Sequence, residues 1–133
     1  MKCIYFILFI NIQIFSISQS YVNHFNTVEP DVYFENIHVK KLFSDSNSTT
    51  FAIWVKQKVK MHKHISHVEN IYVTEGSGNF YLEDSTFLIK SGDLIVVPKN
   101  SWHGVDVSSE NPLKVLSIQS PEFKGNDRVF KEE

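Results

Sequence analysis

His62 and His64 stand two residues apart in the stretch KMHKHISHVENIYVTEG, residues 60–76. Side chains in a β-strand alternate with period two, so this spacing puts both imidazoles on one face. Two neutral imidazoles side by side make a natural grip for a metal ion. Glu69 opens the next apolar run after the short loop ISHV, and a returning strand there brings a carboxylate beside the pair. A fourth donor is available in His103, which follows PKNSW. Each histidine alone reads as an exposed or hydrogen-bonded strand residue. Only convergence of the four makes a site, and spacing alone does not show convergence. His67 lies in the loop between the two groups and reads as exposed. His24 and His38 have no partners in their own segments and read as surface residues.

These side chains need strands to hold them, and the sequence supplies strand signals throughout. DVYFENIHVKKLF alternates imperfectly after Pro30, and SDSNSTT is a turn cluster. FAIWVKQKVKMHKH, with Phe51, Ile53 and Val55 on one face, reads as one long strand. ENIYVTEG is stopped by Gly76, and GNFYLEDSTFLIKSGD reads as two short strands about Glu83-Asp84-Ser85. LIVVPKN, WHGVDV and LKVLSIQS follow as further strands. Gly76, Gly78 and Gly92 read as turn residues, and Pro98 as the end of a strand that angles His103 inward. No stretch holds a helical period for three turns. Short strands at near-regular spacing predict an all-β sandwich or barrel. The tail PEFKGNDRVFKEE is expected to pack back across a sheet edge and fray at its end.

Composition narrows the class. The chain has 133 residues, enough for one domain, and 42% hydrophobic residues, enough for a core. A net charge of −2 gives no footprint for nucleic acid. MKCIYFILFINIQIFSISQS runs from a basic start through an apolar stretch to small residues before Tyr21. That is the layout of a signal peptide over 1–20, with an uncleaved anchor as the alternative. The apolar run is short and interrupted for a bilayer span, so no stable span is expected after cleavage. Cys3 is the chain's single cysteine and lies inside this segment, so the part that follows has no thiol chemistry and no disulfide.

The histidine stretch resembles the first motif of the cupin family, in which HxH is followed after four residues by Glu and after six more by Gly. Here these are His62, His64, Glu69 and Gly76. The stretch from Gly92 through Pro98, Asn100 and His103 to Val107 resembles the second motif. Asn100 stands where that motif has Gly, and Val107 where it has Asn. The glycine that precedes HxH in the family is absent. Asn tolerates positive φ better than most residues, so Asn100 keeps the turn open.

The resemblance implies a single-domain jelly-roll β-barrel with the site inside its mouth. It divides the chain into a leader (1–20), an N-terminal strand region (21–44), a cupin domain (45–125) and a tail (126–133). It carries over His62, His64, Glu69 and His103 as ligands of one divalent ion, with Fe, Mn, Ni, Zn and Cu all admissible. Metal uptake outside the cytosol favours Cu and Zn by affinity order. It implies an exported metal-binding protein acting on a small molecule, as an oxygenase or isomerase type of enzyme or as a non-enzymatic binding module. It also implies a homodimer, with the strand around Val32–Leu42 as the contact. No catalytic residue stands out. His67, Tyr72 and Glu75 are candidates for a base. Trp102 should point away from the metal, toward core or a dimer contact. Lys56, Lys58, Lys60 and Lys63 form a basic stripe, read as a solvated strand edge with attraction of an anionic ligand as the alternative. NST at 47–49 is a glycosylation acceptor in a eukaryotic source only.

Overall fold

The structure is a computed structural model that describes residues 24–132, so the proposed leader lies outside the described residues. A single turn of 3₁₀ helix at Phe25–Thr27 precedes ten strands: β1 (Ile37–Ser44), β2 (Thr49–Val55), β3 (Lys58–His64), β4 (Val68–Glu75), β5 (Ser77–Leu82), β6 (Ser85–Lys90), β7 (Leu94–Val97), β8 (His103–Val107), β9 (Leu113–Ser120) and β10 (Arg128–Phe130). They form two five-stranded antiparallel sheets, ordered β1-β2-β9-β4-β7 and β10-β3-β8-β5-β6. No described helix is long and apolar enough to cross a membrane.

The inward residues of both sheets make one core. Val55, Val73, Val97, Leu113 and Val115 meet Phe80, Ile89 and Val105 from the other side. Each such side chain contributes about 1.5–3 kcal/mol by leaving water. The outer face of β2 and β9 is covered as well. Trp54 is buried there, and the buried Lys114 ammonium lies 5.7 Å from its ring and 5.4 Å from that of Phe25. Lys114 meets Glu75 at 3.1 Å.

Four expectations are corrected. The run 51–64 is two strands, β2 and β3, in different sheets, with the break at Lys56 and Gln57. One unbroken strand would have put odd-numbered Phe51, Ile53 and Val55 on one face and even-numbered His62 and His64 on the other. The N-terminal strand begins only at Ile37, and the residues before it wrap the outer surface. His38, expected at the surface, lies 5.6 Å from the Trp54 ring and 3.0 Å from Asp31. The tail does pair with an edge, since β10 runs antiparallel to β3. The hairpin at Glu83-Asp84 and the strands β7, β8 and β9 fall where the sequence puts them, although Gly78 lies inside β5 and not in the turn.

Candidate metal centre

β3 carries an extra residue. Val59 pairs with Val105 and His62 with His103, so three steps along β3 match two along β8. This bulge switches parity, and Val59, His62 and His64 all face the barrel interior. Gly104 makes room for it. A Cβ on Gly104 would sit 2.8 Å from the Val59 carbonyl oxygen and 3.3 Å from the Met61 nitrogen, too close for any side chain. The loop before β8 is tied to the same strand, where the Asn100 amide donates to the His64 carbonyl at 2.6 Å. Asn100 has φ 63°, the left-handed turn expected of it.

The structure brings His62, His64, Glu69 and His103 together, all at least 95% buried. Donor nitrogens of His62, His64 and His103 lie within 4.8 Å of one another. Glu69 Oε2 is 3.2 Å from His103 Nε2 and 3.5 Å from His64 Nε2. Two rings are fixed by their own strands. His62 Nδ1 donates to the Lys60 carbonyl at 2.9 Å and His103 Nδ1 to the Ser101 carbonyl at 3.0 Å, which leaves each Nε2 lone pair pointing inward. Neither His64 nitrogen nor His103 Nε2 has a hydrogen-bond partner. Buried polar atoms rarely go unsatisfied, so His64 Nε2 and His103 Nε2, both facing Glu69 Oε2, fit a cation between them. Three imidazoles and a carboxylate suit a first-row divalent ion with open positions.

Residues that the sequence reading missed hold the four in place. Ser117 and Gln119, inward on β9, donate to Glu69 Oε1, the amide at 3.1 Å. Polar residues at period two on an otherwise apolar buried strand were the available signal. Asp127, in the C-terminal tail, is buried. Its carboxylate accepts from the Ser66 amide at 2.9 Å, the Ser66 hydroxyl at 2.6 Å and His67 Nδ1, and it lies 3.5 Å from His64 Nδ1. His67 is therefore not an exposed loop residue. It is buried, and both its ring nitrogens are taken up by oxygens, Asp127 and the Glu122 carbonyl. His64, His67 and Asp127 form a second cluster of metal-ligating type that shares His64.

Electrostatics divide the four. Burial, aided by the charge of His103, pushes His62 down to about 4. Burial by itself would raise Glu69, but the neighbouring His103 and His64 imidazoles and the Ser117 hydroxyl together hold its carboxyl well below the usual range. Asp127 is held down to about 2 by Ser66 and His67 against the opposing effect of burial.

The centre opens into a cavity whose empty space, mouth included, is about 640 Å³. Its walls are mostly apolar, with Ile53, Val55, Ile71 and Phe80 among them, and Ile37, Val39 and Arg128 also line it. The other base candidates are absent from it. Tyr72 is exposed, and Glu75 pairs with Lys114. Trp102 is half-buried, and its ring carries the Lys63 ammonium at 4.8 Å instead of packing in the core. None of the four stripe lysines lines the cavity.

Two facing antiparallel sheets, closed over an inward cluster of histidines and a carboxylate, define a jelly-roll barrel of the double-stranded β-helix kind. The chain belongs to the cupin family, whose Cupin_2 domain matches residues 49–119. It is 34% identical over 95 residues to an uncharacterised protein of Aquifex aeolicus, a match covering 71% of this chain and 78% of that one. Among solved structures it resembles KdgF from a Halomonas species, with TM-score 0.67, 22% identity and coverage of 80% of this chain and 97% of that one. It also resembles the Streptomyces nucleoside dehydratase Pac13, with TM-score 0.60, 19% identity and coverage of 71% and 85%. At these identities the two structures show the fold alone.

Proposed function

We propose that this cupin holds one divalent first-row ion through His62, His64, His103 and Glu69 and acts on a small molecule bound in the apolar cavity above it. The observation that carries the reading is the set of buried, unpartnered imidazole nitrogens facing the Glu69 carboxylate. An ion held there supplies a Lewis acid with open positions for substrate oxygens. The chain's residues orient that encounter. Ser117 and Gln119 fix the Glu69 carboxylate, the carbonyls of Lys60 and Ser101 fix two rings, and the apolar walls exclude water. Chemistry of the oxygenase or isomerase type is the reading we carry forward.

A second reading, a binding module without turnover, has its own support. Among the described residues, Arg128 is the only titratable side chain lining the cavity apart from the proposed ligands, and none of them is a free general base facing a bound molecule. A fold shared with enzymes does not decide the matter.

The first experiment is elemental mass spectrometry on residues 21–133 beside a His62→Ala/His64→Ala variant. About one equivalent of metal, lost in the variant, supports the centre. No metal after reconstitution overturns it. Iron directs assays to oxygen consumption, and zinc or manganese to isomerisation and ligand binding. We also place the protein outside the cytosol on the strength of residues 1–20. A native N-terminus at Tyr21 supports export, and one at Met1 counts against it. The exposed apolar residues Ile37 and Val39 on β1, the free edge of the first sheet, and Val32 and Tyr33 in the segment before it support pairing of two copies there. Sedimentation as a monomer at micromolar concentration removes that contact.

A further inference from the structure

Arg128 is the chain's only arginine, and the fold delivers it to the cavity. In the β3–β10 pairing Arg128 stands opposite His64 and Phe130 opposite His62. Directly opposed residues of an antiparallel pair share a face, so Arg128 lies on the side of the proposed ligands. The Phe130 ring, 5.9 Å from that of His62, bears this out. The strand is anchored on both sides of Arg128. Asp127 is locked to Ser66 and His67, and the Lys131 amide donates to the Met61 carbonyl at 2.9 Å. Among the described residues, no hydrogen bond or ion pair engages the guanidinium. Across the mouth from it stand the apolar side chains of Ile37 and Val39 on β1. The lysines of the neighbouring stripe are elsewhere. Lys56 lies over Tyr33 and Phe34, and Lys63 over Trp102.

An unpaired guanidinium carried on an anchored strand at the rim of an apolar cavity selects its ligand. Its planar fork matches a carboxylate with two parallel N–H bonds. A phosphate dianion would ask for more donors than one arginine, and among the described residues no other lysine or arginine lines the cavity. The geometry points to Arg128 as the anchor for the carboxylate of a small organic acid whose apolar body lies against the cavity wall. The inference rests on the reading of this cavity as the small-molecule site. It gives the basic character sought in the lysine stripe to a residue on the other face of the same sheet.

The test compares hexanoate with hexanamide, matched in size and shape and differing in charge, by calorimetric titration. Metal content is measured on every sample. Wild type is expected to bind the acid about ten- to a hundredfold more tightly than the amide, the worth of one charge-assisted pair. Arg128→Gln is expected to lose that preference while binding the amide as before, and Arg128→Lys to recover part of it. Arg128 is exposed, so melting of both variants should match wild type. Equal binding of the two probes, or binding of neither, overturns the inference. So does a preference that survives Arg128→Gln but vanishes on metal removal, because the carboxylate then belongs to the ion. A preference that tracks Arg128 in protein that takes up no metal on reconstitution upholds the inference while the metal centre fails, so the two readings fail separately.

Discussion

Glu69 reaches the centre from a stretch of β4 in plain register, its irregularity lying beyond Val73, whereas His62 and His64 reach it past an extra residue in β3. β4 pairs with β9 residue for residue from Val68 to Val73. Glu69, Ile71 and Val73 therefore face inward by plain alternation. On the other sheet, alternation from Val59 would send Met61 and Lys63 inward. The bulge between Val59 and His62 sends the histidines there instead. One wall presents a carboxylate through hydrogen bonds that already exist, from Ser117 and Gln119. The other presents imidazoles of which His64 and His103 have inner nitrogens without a hydrogen bond. The first wall is settled without a cation, and the second is not.

Acid should therefore strike the two walls in order. The His62 imidazole is held at about 4 in the fold, against 6.5 for the free side chain. Between those values the unfolded chain binds a proton that the folded chain refuses. Stability of metal-free protein is thus whole above pH 6.5, falls as pH drops toward 4, and levels off below. The loss from this one residue is about 3 kcal/mol. Glu69 is depressed, so its contribution is lost only at lower pH. Urea titrations of the metal-free protein at pH 7.5 and pH 4, with His62→Gln alongside, measure the first step. A slope that His62→Gln leaves unchanged would assign the acid sensitivity elsewhere.

Gly104→Ala breaks the bulged wall directly. The added methyl would lie 2.8 Å from the Val59 carbonyl oxygen, a backbone atom with no easy escape. A loss of about 1–3 kcal/mol in unfolding free energy is expected, the usual cost of overpacking. Metal content should fall with it, because a displaced bulge re-aims His62. An alanine variant with full stability and full metal would show that the bulge does not aim the ligands.

Ser117→Ala is the matching change on the regular wall, and it should separate the two quantities. The hydroxyl removed is one of two donors on Glu69 Oε1, and Gln119 remains. Stability should drop by about 1 kcal/mol. Metal affinity should fall about ten- to a hundredfold, as for other residues that orient a ligand from behind. Competition with a chromophoric chelator reads the affinity, and melting reads the stability. A large stability loss with unchanged affinity would make Ser117 a packing residue.

The regular parts of this molecule were legible in the sequence, and the exceptions to period two were not. Apolar runs bounded by turn signals found β4, the β5–β6 hairpin, β7 and β9, and the cupin motif spacing picked out the four residues that converge. They did not find the break at Lys56 and Gln57, because the apolar residues on either side are compatible with one longer strand. The parity conflict between Val55 and His62 was present in the numbering and was the readable sign of a bulge. Asp127 and Arg128 were missed for another reason. Their position depends on pairing across more than sixty residues, from β10 back to β3 and the Ser66 loop, and no local pattern in a polar tail announces it. His67 was misjudged with them, since its burial depends on the same returning strand.

The smallest expected effect concerns the turn that links the walls. Asn100 holds φ 63° and donates its amide to the His64 carbonyl at 2.6 Å, which ties the approach to His103 to the bulged strand. Glycine adopts that backbone without cost, so Asn100→Gly should leave metal affinity unchanged and stability within about 0.5 kcal/mol. Asn100→Val keeps the amide but forbids the geometry for a β-branched residue. It should cost about 1–2 kcal/mol and loosen metal binding through both His64 and His103. If valine proves as harmless as glycine, the turn is not what holds the two histidines in register. The burden then passes to the β3–β8 pairing of His62 with His103 alone.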